Sequence, residues 1–149
     1  MRILALDLAT HTGWACNYPV ETSGVDVFDV RRGESPGTRY LRFVSWLREK
    51  IAIVEPQLII YEQAHHRGGA ATEIAAGFAT HLQSTCAAAG IEHTTVHTST
   101  LKKFATGKGS GKKDLMMAAY RSRWGKEPID DNECDARWML EYAKSMYRD

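Results

Sequence analysis

The chain has 149 residues, of which 44% are hydrophobic and 25% are charged, and its formal net charge is +1. These values are ordinary for a folded globular protein, and the length suits a single domain, residues 1–149. Because the net charge is close to zero, the total charge cannot provide affinity for a polyanion, which would require an uneven distribution of charge.

The first predicted element is an apolar run that contains an acid. Residues Met1–Leu8 read Met-Arg-Ile-Leu-Ala-Leu-Asp-Leu. A continuous apolar stretch bounded by a turn predicts a strand that is buried on both faces. An unpaired carboxylate inside such a strand is costly. Asp7 should therefore lie at the end of the strand, either paired or holding a cation.

A second strand that ends in an acid follows two further strands and a helix. Gly13–Tyr18 and Ser23–Phe28 are predicted strands, and their short connections favour antiparallel pairing. Apolar residues at helical spacing predict an amphipathic helix from about Thr38 to the proline at position 56. The strand Pro56–Glu62 then runs through apolar residues into Glu62. Two acids at the ends of two buried strands predict a metal site.

The second half of the chain is predicted to be mainly helical. The predicted elements are an alanine-rich helix at Ala70–Ala89, a strand at Glu92–Val96, a helical turn at Thr100–Phe104, and helices at Lys112–Arg123 and at about Asp131–Met146. The full order of elements describes a mixed sheet with helices packed on it.

The last predicted helix begins with an acidic run, residues 130–135. Asp131 and Asn132 lie four and three positions before Asp135, so all of these residues can point one way. Any one of these acids alone could simply cap the helix or favour its dipole. In combination with the two acid-terminated strands, they offer oxygen ligands without any Cys or His spacing, which suits Mg²⁺ or Mn²⁺ and argues against zinc. Two such ions about 3.5–4 Å apart are the usual solution for phosphodiester hydrolysis.

A basic segment between Thr100 and Lys126 supports a nucleic-acid substrate. Its only acid is Asp114, and its basic residues are Lys102, Lys103, Lys108, Lys112, Lys113, Arg121, Arg123 and Lys126. Glycines on both sides of Lys108 would let the backbone approach a phosphate. The alternative is a solvated loop beside an ordinary basic helix face. The segment is not a P-loop, since Lys112 stands where that motif requires glycine, and we expect no nucleotide cofactor.

Three further residues, His65, His66 and Arg67, lie just beyond the second acid-terminated strand. They are candidates for a loop that touches DNA beside the metals, and two glycines behind them would let that loop move. The alternative is an ordinary polar surface loop.

The cysteines and the N-terminus bear on the compartment. Cys16, Cys86 and Cys134 are widely spaced and form no Cys-x-x-Cys pair, which predicts a reducing compartment without disulfides. The N-terminal apolar run is too short for a signal peptide, and no segment reaches transmembrane length. We therefore expect a soluble cytoplasmic protein with no membrane partner.

The ordered set of motifs resembles a known family, the RuvC-type Holliday-junction resolvases of the RNase H-like superfamily, in the compact form found in phages or prophages. The resemblance spans essentially the whole chain. The motifs that carry it are Leu6-Asp7-Leu8 with Thr12-Gly13-Trp14-Ala15, Tyr61-Glu62-Gln63, Leu101-Lys102-Lys103 followed by Gly107-Lys108-Gly109, Lys113, and Asn132-Glu133-Cys134-Asp135-Ala136.

This resemblance implies a fold and an activity. The fold would be an RNase H-like α/β fold, whose five-stranded mixed sheet has its first three strands antiparallel and its last two parallel, flanked by helices. The activity would be that of a homodimeric, bacterial or phage endonuclease that uses two Mg²⁺ ions, with Mn²⁺ as a substitute, to nick opposed strands of four-way or branched DNA in recombination or repair. The helix Ala70–Ala89 corresponds to the family's dimer interface, although it is equally consistent with a simple core helix.

The resemblance also implies roles for single residues. Asp7, Glu62 and Asp135 match metal ligands, and Asn132 stands where the family has a further metal-binding side chain. Asn132 could bind through its carbonyl oxygen, or the neighbouring Asp131 could take its place in the catalytic set. Two lysines, Lys102 and Lys113, match positions that contact DNA phosphates near the cut. His65 falls where the family has a residue that enters the junction centre.

Two other functions remain open at this point. The departure at Asn132 is compatible with a catalytically silent relative that binds nucleic acid. The opening motif also resembles the phosphate loops of actin-like phosphotransferases, but the chain is too short for their two lobes and has no second glycine motif for a nucleotide.

Overall fold

The computed structural model describes residues 1–63 and 68–148. Its elements in chain order are β1 (Ile3–Asp7), β2 (His11–Cys16), β3 (Thr22–Val27), α1 (Thr38–Val54), β4 (Leu58–Glu62), α2 (Ala70–Ala89), β5 (Glu92–Val96), α3 (Thr98–Thr106), α4 (Lys113–Trp124) and α5 (Asp131–Met146).

The five strands form one mixed sheet in the order β3-β2-β1-β4-β5. The first three strands pair antiparallel, whereas β4 pairs parallel with both β1 and β5. Helices α1 and α2 provide the crossover connections that parallel neighbours require. This arrangement confirms the predicted mixed sheet and the pairing of its strands.

Both faces of the sheet are buried under helices. Alternation along β1 directs Ile3 and Ala5 into a core with α3, α4 and α5, and it directs Leu4 and Leu6 into a second core with α1 and α2. The central strands are therefore apolar on both sides, which confirms the interpretation of the two apolar runs.

Several predicted elements differ in their bounds from the observed ones. α4 is displaced by one residue at each end, and β4 begins at Leu58 instead of at the predicted proline. β2 begins two residues earlier than predicted and ends at Cys16, because the Asn17 side chain accepts a hydrogen bond from the backbone N–H of Ile3 and donates one to the carbonyl of Met1. β3 is displaced by one residue at each end. The turn predicted at Thr100–Phe104 is a full helix, α3, because the His97 side chain caps its N-terminus through the Ser99 N–H.

None of the helices in the described part of the chain is long and apolar enough to cross a membrane. The three cysteines are free and buried.

Candidate metal centre

Three carboxylates meet at one edge of the sheet. Asp7 ends β1 and Glu62 ends β4, and these strands are parallel neighbours in which Leu6 lies beside Tyr61, so both acids reach the same edge. Asp135 approaches them from the second turn of α5. One carboxylate oxygen from each of these acids lies within 4.8 Å of the other two. The predicted convergence of three distant acids is therefore present.

The spacing and the chemistry of this group fit a hard divalent cation. Oxygens that share one octahedral Mg²⁺ lie roughly 3–4 Å apart, given metal–oxygen distances of about 2.1 Å. The observed upper limit of 4.8 Å is close to that range. The acids of the group are half-buried, and within residues 1–63 and 68–148 no cysteine or histidine belongs to it. The donor set is thus of the kind that Mg²⁺ and Mn²⁺ prefer.

The electrostatics of the site indicate excess negative charge. Burial raises the pKa of Asp7 well above its ordinary value, and the charges of Asp135 and Glu62 raise it further. Burial also raises the pKa of Asp135 to about 7, with additional contributions from Glu62 and Asp131. Two nearby lysines oppose this second shift but do not cancel it. A divalent cation would supply the positive charge that these carboxylates lack.

A cavity of about 200 Å³ is lined by two of the three acids, Glu62 and Asp135. Its polar lining consists of Glu62, Thr98, Lys102, Lys113, Asp131 and Asp135, and its apolar lining of Leu101, Met116, Met117 and Cys134. Burial raises the pKa of the Cys134 thiol to about 12, so this residue contributes to the cavity as a neutral thiol.

Thr98 is a site residue that the sequence analysis did not identify. Its hydroxyl donates a hydrogen bond of 2.6 Å to Oε1 of Glu62. Thr98 is the first residue of α3 and follows β5, the parallel neighbour of β4. That position was a usable signal, because residues that directly follow adjacent parallel strands lie at the same edge of the sheet.

Two of the predicted DNA-binding lysines line the cavity. Nζ of Lys113 lies 3.0 Å from Oδ2 of Asp131, and this contact raises the pKa of Lys113. The Lys113 side chain is still 68% exposed, which leaves it accessible to a ligand. Lys102 forms part of the cavity wall. The other three predicted lysines, Lys103, Lys108 and Lys112, are exposed and lie outside the cavity lining.

The residues of the acidic run 130–135 face different parts of the structure. Asp131 and Asp135 line the cavity, whereas Asn132 is not among its lining residues. Glu133 is buried and points away from the cavity, toward β3 and α4. The sequence analysis assigned Glu133 no role, although the Asp130-x-x-Glu133 spacing is the signature of a capping box. The predictions for His65, His66 and Arg67 fall outside the described residues.

Comparison with known proteins identifies the fold. No protein-family model matches the chain, and neither does any curated protein sequence. Among solved structures, the chain is similar to RuvC of Thermus thermophilus, with a TM-score of 0.77 and 16% identity over 98% of this chain and 96% of that one. It is also similar to T. thermophilus RuvC in complex with a Holliday junction substrate, with a TM-score of 0.79, 16% identity and the same coverage.

A third similar structure is the yeast mitochondrial Holliday junction resolvase Ydc2. Its TM-score is 0.55 and its identity 13%, over 97% of this chain and 84% of that one. These likenesses confirm the RNase H-like fold, in the version that RuvC has, over essentially the whole chain.

Proposed function

We propose that this protein is a divalent-metal-dependent endonuclease that cuts branched DNA, with four-way junctions as its expected substrate. The observation that carries the proposal is the convergence of Asp7, Glu62 and Asp135 within 4.8 Å, at the edge of a RuvC-like sheet. The choice of substrate is supported by the likeness to a RuvC structure that contains a Holliday junction.

Asp7, Glu62 and Asp135 would hold the metal, with Mg²⁺ as the expected ion, Mn²⁺ as a substitute, and two ions per site. The bound metal would supply Lewis-acid activation of the scissile phosphate and of the attacking water. Because the three acids come from β1, β4 and α5, their relative positions are set by packed elements and not by one mobile loop. Thr98 holds the Glu62 carboxylate in place through its hydroxyl.

Lys102 and Lys113 would bind DNA phosphates. Both line the cavity together with Glu62 and Asp135, so a phosphodiester that enters it would meet ammonium groups and carboxylates together. A lysine is a flexible point charge that can follow a phosphate as it moves. Lys103, Lys108 and Lys112 would extend this contact along the DNA backbone beyond the cavity, as exposed cations do in non-specific binding.

Asp131 is the better candidate for the additional oxygen donor. It lines the same cavity as Glu62 and Asp135, whereas Asn132 does not. Its negative charge also contributes to the raised pKa values of Asp7 and Asp135, which reflects its closeness to both. The contact with Lys113 holds the Asp131 carboxylate at the cavity, where a second ion would need it.

A junction endonuclease that nicks two opposed strands needs two active sites, and a homodimer would provide them. We propose α2 as the interface. It lies on the face of the sheet opposite α5 and buries Phe78, Leu82 and Cys86 in the core. Eight of its other residues are alanines, whose small side chains allow a second helix to approach closely.

The proposal is tested with synthetic four-way junctions in which each strand is labelled in turn. We expect nicks on opposed strands in Mg²⁺ or Mn²⁺, none in EDTA, and little cleavage of a linear duplex with the same sequence. Asp7→Asn serves as the inactive control. Junction binding without nicking in either metal would contradict the nuclease assignment and favour the silent, DNA-binding relative that Asn132 suggests.

A further inference from the structure

Glu133 is a buried acid that belongs to neither the metal centre nor the surface. The residue is only 4% exposed, and it is the only carboxylate among the buried residues of the described chain. An isolated buried carboxylate is strongly unfavourable, so its partners and its purpose require an explanation.

Three donors from separate parts of the fold converge on this carboxylate. Oε1 accepts a hydrogen bond of 2.6 Å from the backbone N–H of Ile129, in the segment before α5. Oε2 accepts one of 2.5 Å from the Ser23 hydroxyl on β3 and a longer one, 3.4 Å, from the Tyr120 phenol on α4. A single side chain thus joins the start of α5 to β3 and to α4.

The partners of Glu133 are themselves held by a further residue, Arg137. Arg137, one turn further along α5, donates a hydrogen bond to the Ser23 hydroxyl and lies over the Tyr120 ring. Ser23 can therefore accept from Arg137 while it donates to Glu133. Burial and the charge of Glu133 both raise the pKa of Tyr120, which keeps the phenol protonated as a donor.

These contacts exceed what helix capping requires. The cap itself is provided by Asp130, whose Oδ1 accepts a hydrogen bond of 2.9 Å from the Glu133 N–H. In a capping box the acid at this position reaches back only to the adjacent backbone. Here the same side chain also reaches Ser23, 110 positions away in the chain. The network therefore fixes the first turn of α5 against the rest of the fold.

The helical geometry connects this anchor to the metal centre. Successive residues of an α-helix are about 100° apart around its axis. Asp131 and Asp135 each lie two positions from Glu133, so both point roughly away from it and share the opposite face. When Glu133 is held by β3 and α4, Asp131 and Asp135 are directed to the cavity, where the structure places them.

We propose that Glu133 is a positioning residue for the metal centre. Its carboxylate sets the rotation and the depth of the first turn of α5, and through them the positions of Asp131 and Asp135. It contacts neither metal nor DNA. The proposal rests on the proposed function for its metal-binding consequence, but the anchoring of α5 is a property of the chain without metal.

The first measurement is Mn²⁺ binding to the metal-free protein, followed by electron paramagnetic resonance. Glu133→Ala should weaken Mn²⁺ binding by about tenfold or more, as loss of groups that orient metal ligands generally does. Glu133→Gln keeps an oxygen that accepts from Ile129, and its amide N–H groups can donate to the Ser23 and Tyr120 hydroxyls, which can also accept. Its Mn²⁺ affinity should therefore remain within about threefold of that of the unaltered protein. Leu82→Ala, in the core on the opposite face of the sheet, is the control for lost stability and should bind Mn²⁺ normally.

The second measurement is amide hydrogen exchange without metal. Glu133→Ala should speed exchange at residues 131–135 selectively, whereas Leu82→Ala should not. Where Glu133→Ala fails to fold, Ser23→Ala removes one of the three donors, and its expected effects are smaller but in the same direction.

The outcomes separate the two proposals. Normal Mn²⁺ binding together with unchanged exchange at residues 131–135 in Glu133→Ala, or in Ser23→Ala in its place, would overturn the role of Glu133. Equal losses in Leu82→Ala would also overturn it, because they would reduce the effect to general destabilisation. Absence of Mn²⁺ binding by the unaltered protein would instead contradict the metal centre, and the exchange data alone would then decide whether Glu133 anchors α5.

Discussion

Gly13 of β2 lies directly against the backbone of Asn132 at the start of α5. A β-carbon built on Gly13 would lie 2.0 Å from the carbonyl oxygen of Asn132 and 2.6 Å from the backbone nitrogen of Glu133. No side chain fits between the two elements at this point. The absence of a side chain at Gly13 therefore sets how closely α5 approaches the sheet, and with it how far Asp135 reaches toward Asp7.

We expect Gly13→Ala to displace the start of α5 and to cost at least about 1–3 kcal/mol of stability, as overpacking of a well-packed interior does. Because Asp135 would move with the helix, Mn²⁺ affinity should fall as well. Urea unfolding and Mn²⁺ titration measure the two effects. Gly37→Ala is the matched control, since its β-carbon would meet nothing closer than 3.6 Å. A stable Gly13→Ala protein with unaltered metal affinity would contradict this account of the packing.

Replacing either strand-end acid should separate DNA cleavage from DNA binding. Asp7→Asn and Glu62→Gln keep the size of the side chain but remove the charge that holds the cation. We expect junction cleavage to fall by about a hundredfold or more, since metal-assisted charge stabilisation is worth several kcal/mol. Binding in Ca²⁺, measured by gel shift, should remain. Cleavage within tenfold of the unaltered protein would show that the ligand assignment is wrong.

The free energy of unfolding of the metal-free protein should contain a component that falls as pH rises from about 4 to about 7. The reason is that the pKa of Asp135 is raised from 3.8 to about 7, so the folded protein binds more protons than the unfolded chain across this window. The raised pKa of Asp7 acts in the same direction. The component is fully present below the unfolded pKa and is lost above the folded one.

Urea unfolding at about pH 5 and about pH 8 in EDTA tests this component against Asp135→Asn, which removes the titrating group. The free energy of unfolding of the unaltered protein, relative to that of Asp135→Asn, should be higher at about pH 5 than at about pH 8. This change with pH should be at most about 4 kcal/mol. Mg²⁺ should reduce the loss at high pH by neutralising the carboxylates. A difference that does not change with pH would contradict the raised pKa.

Lys113→Ala should weaken junction binding and make it less dependent on salt. Each phosphate contact releases condensed counterions, so losing one contact should reduce the slope of log affinity against log salt by about one. Lys126→Ala is the matched control, because Lys126 is an exposed lysine just beyond the far end of α4. Equal slopes for Lys113→Ala and the unaltered protein would remove Lys113 from the DNA surface.

Asp131→Ala and Asn132→Ala, compared side by side, should differ in their metal dependence. Asp131→Ala is expected to raise the Mg²⁺ concentration needed for half-maximal cleavage by about tenfold, because a carboxylate at the cavity is lost. Asn132→Ala should change it by less than about threefold. The reverse order would assign the additional donor to Asn132 and return the site to the pattern of the family that the chain resembles.

Local patterns were sufficient to predict much of the fold. The bounds predicted for the helix Ala70–Ala89 and the strand Glu92–Val96 are those observed, because Gly90 ends the helix with a left-handed backbone conformation, φ 69°, between two strong periodic patterns. The predicted turn is shorter than the observed helix α3, because the N-cap of α3, His97, is not a common capping residue. Sequence also predicted the convergence of Asp7, Glu62 and Asp135, since the first two end strongly patterned strands and the third lies near the start of a strongly patterned helix.

The sequence by itself thus determined which strands are buried and which acids stand at their ends, because hydrophobic periodicity and helix signals act over a few neighbouring residues. The tertiary structure alone decided how the acidic run at the start of α5 is distributed: Asp131 faces the cavity, Glu133 lies inside the fold, and Asn132 rests on Gly13 through its backbone. The rotation of a helix about its axis depends on the surfaces against which it packs. For α5 those surfaces belong mainly to β1, β2, β3 and α4. The strands are far from α5 along the chain, so their packing leaves no local pattern in the acidic run itself.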